Sequence, residues 1–468
     1  MNSLPDGLTV PLPLLGKKGL DNPLDWVSLW EDLARKGSAV LLESAGPVHE
    51  ANRWVVIAGD PEKEFYGRAG QSWFGGSEDP RPSNMELLPF LDEIGFSGNP
   101  SGRDSQYSPF PFCLSGAWFG TLSYELGLAM NLKKNGPAPA LRGAVPDFYF
   151  FKPRTIMAFD RVAKELYCFG RAALEYSPET VSPRQPFLVH SLKAQSTAEN
   201  YKTMVEKVKN YIGKGDIYQA NIAQVFTAHW EGNPGSLYRL LKEMNPGPFM
   251  GLYQGRGFTV VSSSPERLAA GHGDWLETRP IAGTRPRGQD EIRDLQLLWE
   301  LKTNPKEQAE HLMLVDLARN DLGKIAEFGT VEVKSFAGVE SYAKVHHLVS
   351  IVQARRGQKT GVSEILKALF PGGTITGCPK IRCMEIIRET EGRPRGYYTG
   401  SMGYVAPGPC FDLNILIRSF TLFPDGSLEF YAGAGIVADS NPEKEYLETL
   451  YKVEALAQAL GASFLAGP

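Results

Sequence analysis

The chain has 468 residues, 42% of them hydrophobic and 22% charged, and 49 Lys plus Arg against 53 Asp plus Glu leave a formal net charge of −4. It is long enough to bury the core of one large domain or two ordinary ones, and its charge balance draws it neither to nucleic acid nor to an anionic membrane. Five sparse cysteines outside zinc spacing, Cys113, Cys168, Cys378, Cys383 and Cys410, fit a reduced, cytoplasmic compartment, and neither a signal peptide nor an uncharged apolar run of roughly 18 residues stands out.

The first elements are short apolar runs bounded by turn residues, "SAVLLES", "RWVVIAG", "DFYFFKPRTIMAFD" and "KELYCFG", which predict a mostly antiparallel sheet. "GGSEDPRPSNME" and "FSGNPSGRDSQYSPFPF" are rich in Gly, Pro and Ser and predict surface loop. Residues 176–200, "YSPETVSPRQPFLVHSLKAQSTAEN", have a linker's composition. The expected division is therefore a sheet-rich N-terminal region at 1–192 and a second domain at 193–468.

After that boundary strands and helices mix. "YKTMVEKVKNYIGKG" places Tyr201, Met204, Val205, Val208, Tyr211 and Ile212 on one helical face and closes on Gly213. In "ETRPIAGTRPRG", residues 277–288, three arginines and two glycines surround an alanine; this is fixed positive charge without a nucleophile. "NPKEQAEHLMLVDLARNDLG" carries Glu307 and Glu310 on a helix that turns apolar directly after them, so its C-terminal half is expected to be buried. His346 and His347 are adjacent in a strand-like run, and their side chains point to opposite faces. "FPGGTITGCPKIRCMEII" and "YAGAGIVADS" offer glycine turns, at Gly372, Gly373, Gly377, Gly433 and Gly435, that can aim backbone N–H groups at an anion or simply make tight turns. No phosphate-loop or dinucleotide fingerprint is present. "FDLNILIRSFTLFPDGSLEFYAGAG" reads as two strands joined through Asp425 and Gly426.

The last helix begins at a capping box formed by Ser440 and Glu443. At 100° per residue, Glu445, Glu448 and Lys452 share one stripe, while Tyr446, Leu450, Val453, Ala457 and Leu460 share another. The charged stripe is either a solvated helix surface or, with Glu307 and Glu310, a set of oxygen donors for a hard cation such as Mg²⁺. The fold class is α+β.

Seven blocks in order, "ETRPIAGTRPRG", "EHLMLVDLARNDLG", "VHHLVS", "FPGGTITGCPKIRCMEII", "GSMGY", "AGAGIVADS" and "EYLETLYKV", resemble the chorismate-utilising enzyme family. That family includes anthranilate, aminodeoxychorismate, isochorismate and salicylate synthases. The resemblance covers roughly residues 195–462, with a looser likeness at "LLES" (41–44) and "RWVVIAGDP" (53–61). It implies an antiparallel β-sandwich flanked by helices. It also implies that Glu307, Glu310, Glu445 and Glu448 surround Mg²⁺, which holds chorismate's ring carboxylate. Ala282, Gly283 and Thr284 would line the ring pocket, and Thr374 would lie on the loop beneath it. His347 would sit by the departing hydroxyl, with Glu266 as a further acid/base group. Tyr398, Arg418, Gly433, Gly435 and Lys452 would hold the enolpyruvyl carboxylate. The nucleophile would be ammonia from a separate glutamine amidotransferase subunit.

Ala282 resembles the anthranilate branch, since many aminodeoxychorismate synthases carry a lysine there. "GDIYQANIAQ", with Tyr218 and Asn221, and "FPGG", "VHHL" and "GSMGY" resemble the aminodeoxychorismate synthase component I branch, which the balance favours. Ser44, Pro248 and Met250 fit the family's tryptophan pocket, although Phe249 departs from a common tyrosine. The same residues would equally suit an apolar seam between two halves of a sandwich, and feedback inhibition is not expected.

Overall fold

The computed structural model describes residues 11–19, 24–45, 53–96, 110–132, 141, 145–171, 186–342 and 344–465. Among the described residues, twenty-two strands join into one hydrogen-bonded network, antiparallel at each pairing below. The apolar runs of the first half are strands buried on both faces, which is why they read as unbroken rather than alternating. Val40, Val56, Ala58, Tyr149, Phe151, Ile156 and Ala158 point into a core made by sheet against sheet. Their neighbours Leu41, Val55, Ile57, Met157 and Phe159 point outward to a second core. The helices Trp26–Ala34, Pro234–Met244 and Pro442–Ala459 cover that core. A third core lies under Leu87–Phe96, Ala198–Gly213, Val362–Leu369 and Lys380–Glu391. The architecture is thus the helix-flanked antiparallel sandwich.

The two parts of the chain share sheets. Ala39–Glu43 pairs with Phe249–Gly255, and Trp118–Leu122 with Ser401–Ala406. Part of the expected linker, Phe187–Ala194, is a strand paired with Gln219–Gly232. Residue 193 lies inside it; the stretch 172–185 and the loop 97–109 lie outside the described residues.

Other expectations are corrected. "GGSEDPRPSNME" is not all loop: Pro80–Ser83 pairs with Gln71–Gly76, and its two prolines are tolerated in a short strand of this kind. The last helix starts one residue later than expected. Asn441 is its cap, accepting from the amides of Glu443 and Lys444, and Pro442 occupies the first turn. Asp425 and Gly426 do make the hairpin, but the segment before it is broken into Cys410–Asn414 and Ser419–Leu422 by a turn with Arg418 at φ +52°. The helix Pro305–Gly323 buries His311, Val315, Asp321 and Leu322, yet leaves Leu312 58% exposed. Its apolar half is only partly covered.

Candidate active site

The strand Ile281–Pro286 pairs with Val345–Arg355, and a bulge lies between Ala282 and Thr284. The bulge residue is Gly283, at φ +68°, where a side chain would be strained. A Cβ there would lie 2.7 Å from Leu301 Cδ1 and 2.8 Å from Glu307 Oε2, so glycine lets the Glu307 carboxylate rest against the strand. Ala282 is 8% exposed. Thr284 Oγ1 is 3.0 Å from His347 Nδ1. The adjacent His346 turns away, its Nε2 3.0 Å from Asp294 and its Nδ1 2.7 Å from Ser341 Oγ. The pair therefore splits as the strand period requires, and only His347 faces the pocket strand.

Arg418 lies within electrostatic reach of both His347 and Glu266, and Thr374 lies beside Glu266. Burial first, then the Arg418 charge, depress the His347 ring to about 3. Burial pushes the Glu266 carboxyl up to about 7, while Thr374 and Arg418 pull it back. Thr374 Oγ1 faces this carboxyl from the turn Gly373–Ile375 but makes no hydrogen bond of normal geometry, and it remains a buried hydroxyl without a partner. Burial lowers the Arg418 guanidinium, and Glu266 raises it. Behind His347 stands the Tyr342 ring, 5.9 Å away. Its hydroxyl donates to Glu340, which is paired with Arg279.

The fixed positive charge of "ETRPIAGTRPRG" is already neutralised within the protein. Arg279 pairs with Glu340, Arg285 with Glu300 and Glu307, and Arg287 with Asp294. They brace the strand through carboxylates brought in from neighbouring elements.

The helices Pro305–Gly323 and Pro442–Ala459 bring their N-terminal turns together. Lys306 Nζ is 3.6 Å from Glu310 and within electrostatic reach of Glu445 and Glu448. Burial, followed by the charges of Glu307 and Glu448, pushes the Glu310 carboxyl up against the pull of Lys306. Burial likewise raises Glu445, and Glu448 adds to it. Glu448 is 2.7 Å from Lys452, and Glu307 is 3.0 Å from Arg285. With cations taking up three of the four carboxylates, no three described His, Cys, Asp or Glu side chains converge tightly enough to hold a metal ion as they stand. The donor chemistry nonetheless fits Mg²⁺: oxygen ligands only, clustered at the cost of mutual repulsion.

A second wall forms around Gly433 in the strand Ser427–Ile436. Lys452 Nζ donates to Gly433 O at 2.9 Å. A Cβ on Gly433 would lie 3.0 Å from the Tyr398 hydroxyl and 2.4 Å from Asn221 Oδ1, and one on Gly435 would lie 2.4 Å from Gln219 Nε2. Asn221 Oδ1 is buried and has no hydrogen-bond partner. Tyr398 stacks on Tyr431 at 5.0 Å.

Two participants went unnoticed in the sequence: Lys306 and Arg395. Arg395 is 1% exposed. It pairs with Glu391 at 2.6 Å, donates to Asn221 O at 2.8 Å and Ile375 O at 3.1 Å, and lies 5.5 Å from the Tyr398 ring. Its own amide and that of Gly396 donate to Glu125, a carboxyl that burial raises to about 8. Lys306, four residues before Glu310, was open to notice as a helical partner; Arg395 carried no such local signal.

Ser44, Pro248 and Met250 come together on the wall of a separate cavity of about 410 Å³, which also reaches Arg53, His272, Cys410 and Asp412.

A fold of this kind, with a buried acid, histidine and arginine beneath a bulged strand and acidic side chains on two helices, marks an enzyme acting on a small charged molecule. The family model for chorismate binding enzymes matches residues 37–458, and the chain belongs to that family. It is 40% identical over 470 residues to an anthranilate synthase component I-like protein of Synechocystis sp., covering 96% of this chain and 91% of that one. It is 42% identical over 290 residues to aminodeoxychorismate synthase component 1 of Bacillus subtilis, covering 62% and 60%. Among solved structures it resembles anthranilate synthase component I from Streptococcus pneumoniae, with TM-score 0.73 and 30% identity over 87% of this chain and 93% of that one. The chain is a chorismate-utilising enzyme. No helix among the described residues is long and apolar enough to cross a membrane.

Proposed function

We propose that this chain is the chorismate-aminating component of an aminodeoxychorismate synthase, replacing the C4 hydroxyl of chorismate with ammonia to give 4-amino-4-deoxychorismate and water. The buried grouping of Glu266, Thr374, His347 and Arg418 under the strand bearing Ala282 carries this reading. Arg418 makes no ion pair with a carboxylate among the described residues and is suited to a substrate carboxylate, with Tyr398 and Lys452 at the Gly433 wall.

Glu266, poised near neutrality, holds the proton that the departing hydroxyl needs. His347 stays uncharged and orients that hydroxyl by hydrogen bonding. Mg²⁺ held by Glu307, Glu310, Glu445 and Glu448, directly or through water, would supply positive charge for the ring carboxylate. Ammonia is delivered by a glutamine amidotransferase partner, and with alanine at 282 it adds to the ring without a covalent enzyme adduct.

The choice of C4 rests on "GDIYQANIAQ", "FPGG", "VHHL" and "GSMGY". Anthranilate synthesis is the second reading, favoured by Ala282 and by the names of several relatives. Purified protein given chorismate, Mg²⁺ and ammonium at alkaline pH distinguishes the two. We expect 4-aminobenzoate only after aminodeoxychorismate lyase is added; fluorescent anthranilate without the lyase overturns the assignment. A chorismate-binding paralogue without turnover would leave the chorismate unconsumed.

A further inference from the structure

Cys113 and Cys410 are 297 positions apart, yet their sulfurs lie 2.6 Å from one another. One sits in the 3-10 turn Phe112–Gly116, and the other opens the strand Cys410–Asn414. Both are buried, at 4% and 3% exposure. Both are free thiols, brought face to face by the fold. Cys410 also lines the cavity of about 410 Å³, as does His272, whose ring lies close enough to the Cys410 thiol for that thiol to raise it above the usual imidazole value. Two sulfurs and an imidazole do not make a metal site here: among the described residues no three such groups converge for one.

We propose that Cys113 and Cys410 are an oxidisable pair, a modification site on the cavity wall whose oxidant is a small hydroperoxide. Cys410 presents the cavity-facing sulfur. It attacks one oxygen of hydrogen peroxide as its proton passes to the His272 ring. The O–O bond breaks, the leaving hydroxide takes up that proton as water, and Cys410 becomes a sulfenic acid. Cys113 then attacks the Cys410 sulfur; the S–O bond breaks and the hydroxide departs with the Cys113 proton as a second water. Two thiols and one peroxide thus become one disulfide and two waters, with two electrons passing from sulfur to oxygen. Burial makes a thiol a slow nucleophile, and two features of the site offset this: an imidazole beside Cys410 on the same cavity wall and a partner sulfur already in place. The bond would pin the 3-10 turn to a strand that also carries Phe411, Asp412 and Asn414 along the cavity.

The full chain is held in a phosphine reductant or exposed to hydrogen peroxide, then denatured and alkylated with N-ethylmaleimide. All five cysteines take up the label in the reduced sample. After peroxide we expect two labels to be lost and a tryptic cross-link between the peptides holding Cys113 and Cys410. The melting temperature should rise by several degrees, since a bond spanning so long a loop constrains the unfolded chain, and reductant should reverse the rise. Full labelling after peroxide, or oxidation confined to Cys168, Cys378 or Cys383, overturns the proposal. Cys113→Ser should leave a sulfenic acid on Cys410 that dimedone traps; in Cys410→Ser, dimedone should not label Cys113, and labelling there would overturn the assignment of Cys410 as the attacking sulfur. If either variant fails to fold, the count on the unaltered chain still decides.

Discussion

Thr284 Oγ1 lies 3.0 Å from His347 Nδ1 across neighbouring strands, and this contact commits one imidazole nitrogen to the scaffold. With the ring held at about 3, His347 is uncharged throughout the neutral range, and its neighbour Glu266, at about 7, is the group that changes charge there.

Glu266→Gln should therefore trade activity for stability. Its carboxyl rises from 4.5 to about 7 on folding, so between these values the folded state binds more protons than the unfolded one. The stability it contributes is complete below pH 4.5 and is lost as pH climbs through 7. By pH 8 the loss is about 3 kcal/mol at most. Melts at pH 5 and pH 8 should show the variant gaining on the parent mainly at pH 8, while turnover falls about 100-fold or more. An equal difference at both values refutes the buried-carboxyl account.

Gly283→Ala meets two obstacles. Its φ of +68° costs roughly 1–2 kcal/mol for an L side chain, and the new methyl collides with Glu307 and Leu301. We expect a lower melting temperature together with a higher Mg²⁺ requirement for chorismate consumption. A variant that melts lower but keeps the parent's Mg²⁺ dependence would detach Glu307 from the metal.

Lys306 and Glu448 should act in opposite directions. Lys306 occupies the acidic cluster, so Lys306→Met removes a competitor, and the half-saturating Mg²⁺ concentration should drop by about two- to five-fold, equivalent to the ~0.5–1 kcal/mol of a partly exposed ion pair. Glu448→Gln should abolish turnover at any practical Mg²⁺ concentration. Retained activity removes Glu448 from the site.

Ala282→Lys places an amine on the pocket strand. With chorismate present, the protein should gain mass from a covalent adduct, read by intact mass spectrometry. An unchanged mass means that position 282 does not face the ring.

Much of this arrangement could be read from the sequence because its determinants are local. The strand through Phe148–Asp160 has β-rich apolar content, and the helix Ala198–Gly213 buries the Tyr201, Val205 and Val208 stripe its spacing assigns. The last helix divides less cleanly: Leu450, Val453 and Ala457 are buried as assigned, but Glu445 of the charged stripe is buried with them. What could not be read depends on tertiary partners. The arginines of "ETRPIAGTRPRG" looked free because Glu300, Asp294 and Glu340, which neutralise them, arrive from later elements. The strand Phe187–Ala194 looked like linker because four of its eight residues are exposed and its pairing partner lies beyond a helix. The start of the last helix moved by one residue because Asn441, followed by proline, is a better cap than Ser440.

The guanidinium of Arg395 bears on how the molecule is made. Its backbone needs a carboxylate at position 125, and its side chain needs carbonyls at 221 and 375 and a carboxylate at 391. A nascent chain emerging from the ribosome acquires these in order but can close around them only after residue 395 has cleared the exit tunnel. One buried cation therefore ties together residues from both parts of the chain, and the Tyr398 ring beside it is held by the same tie.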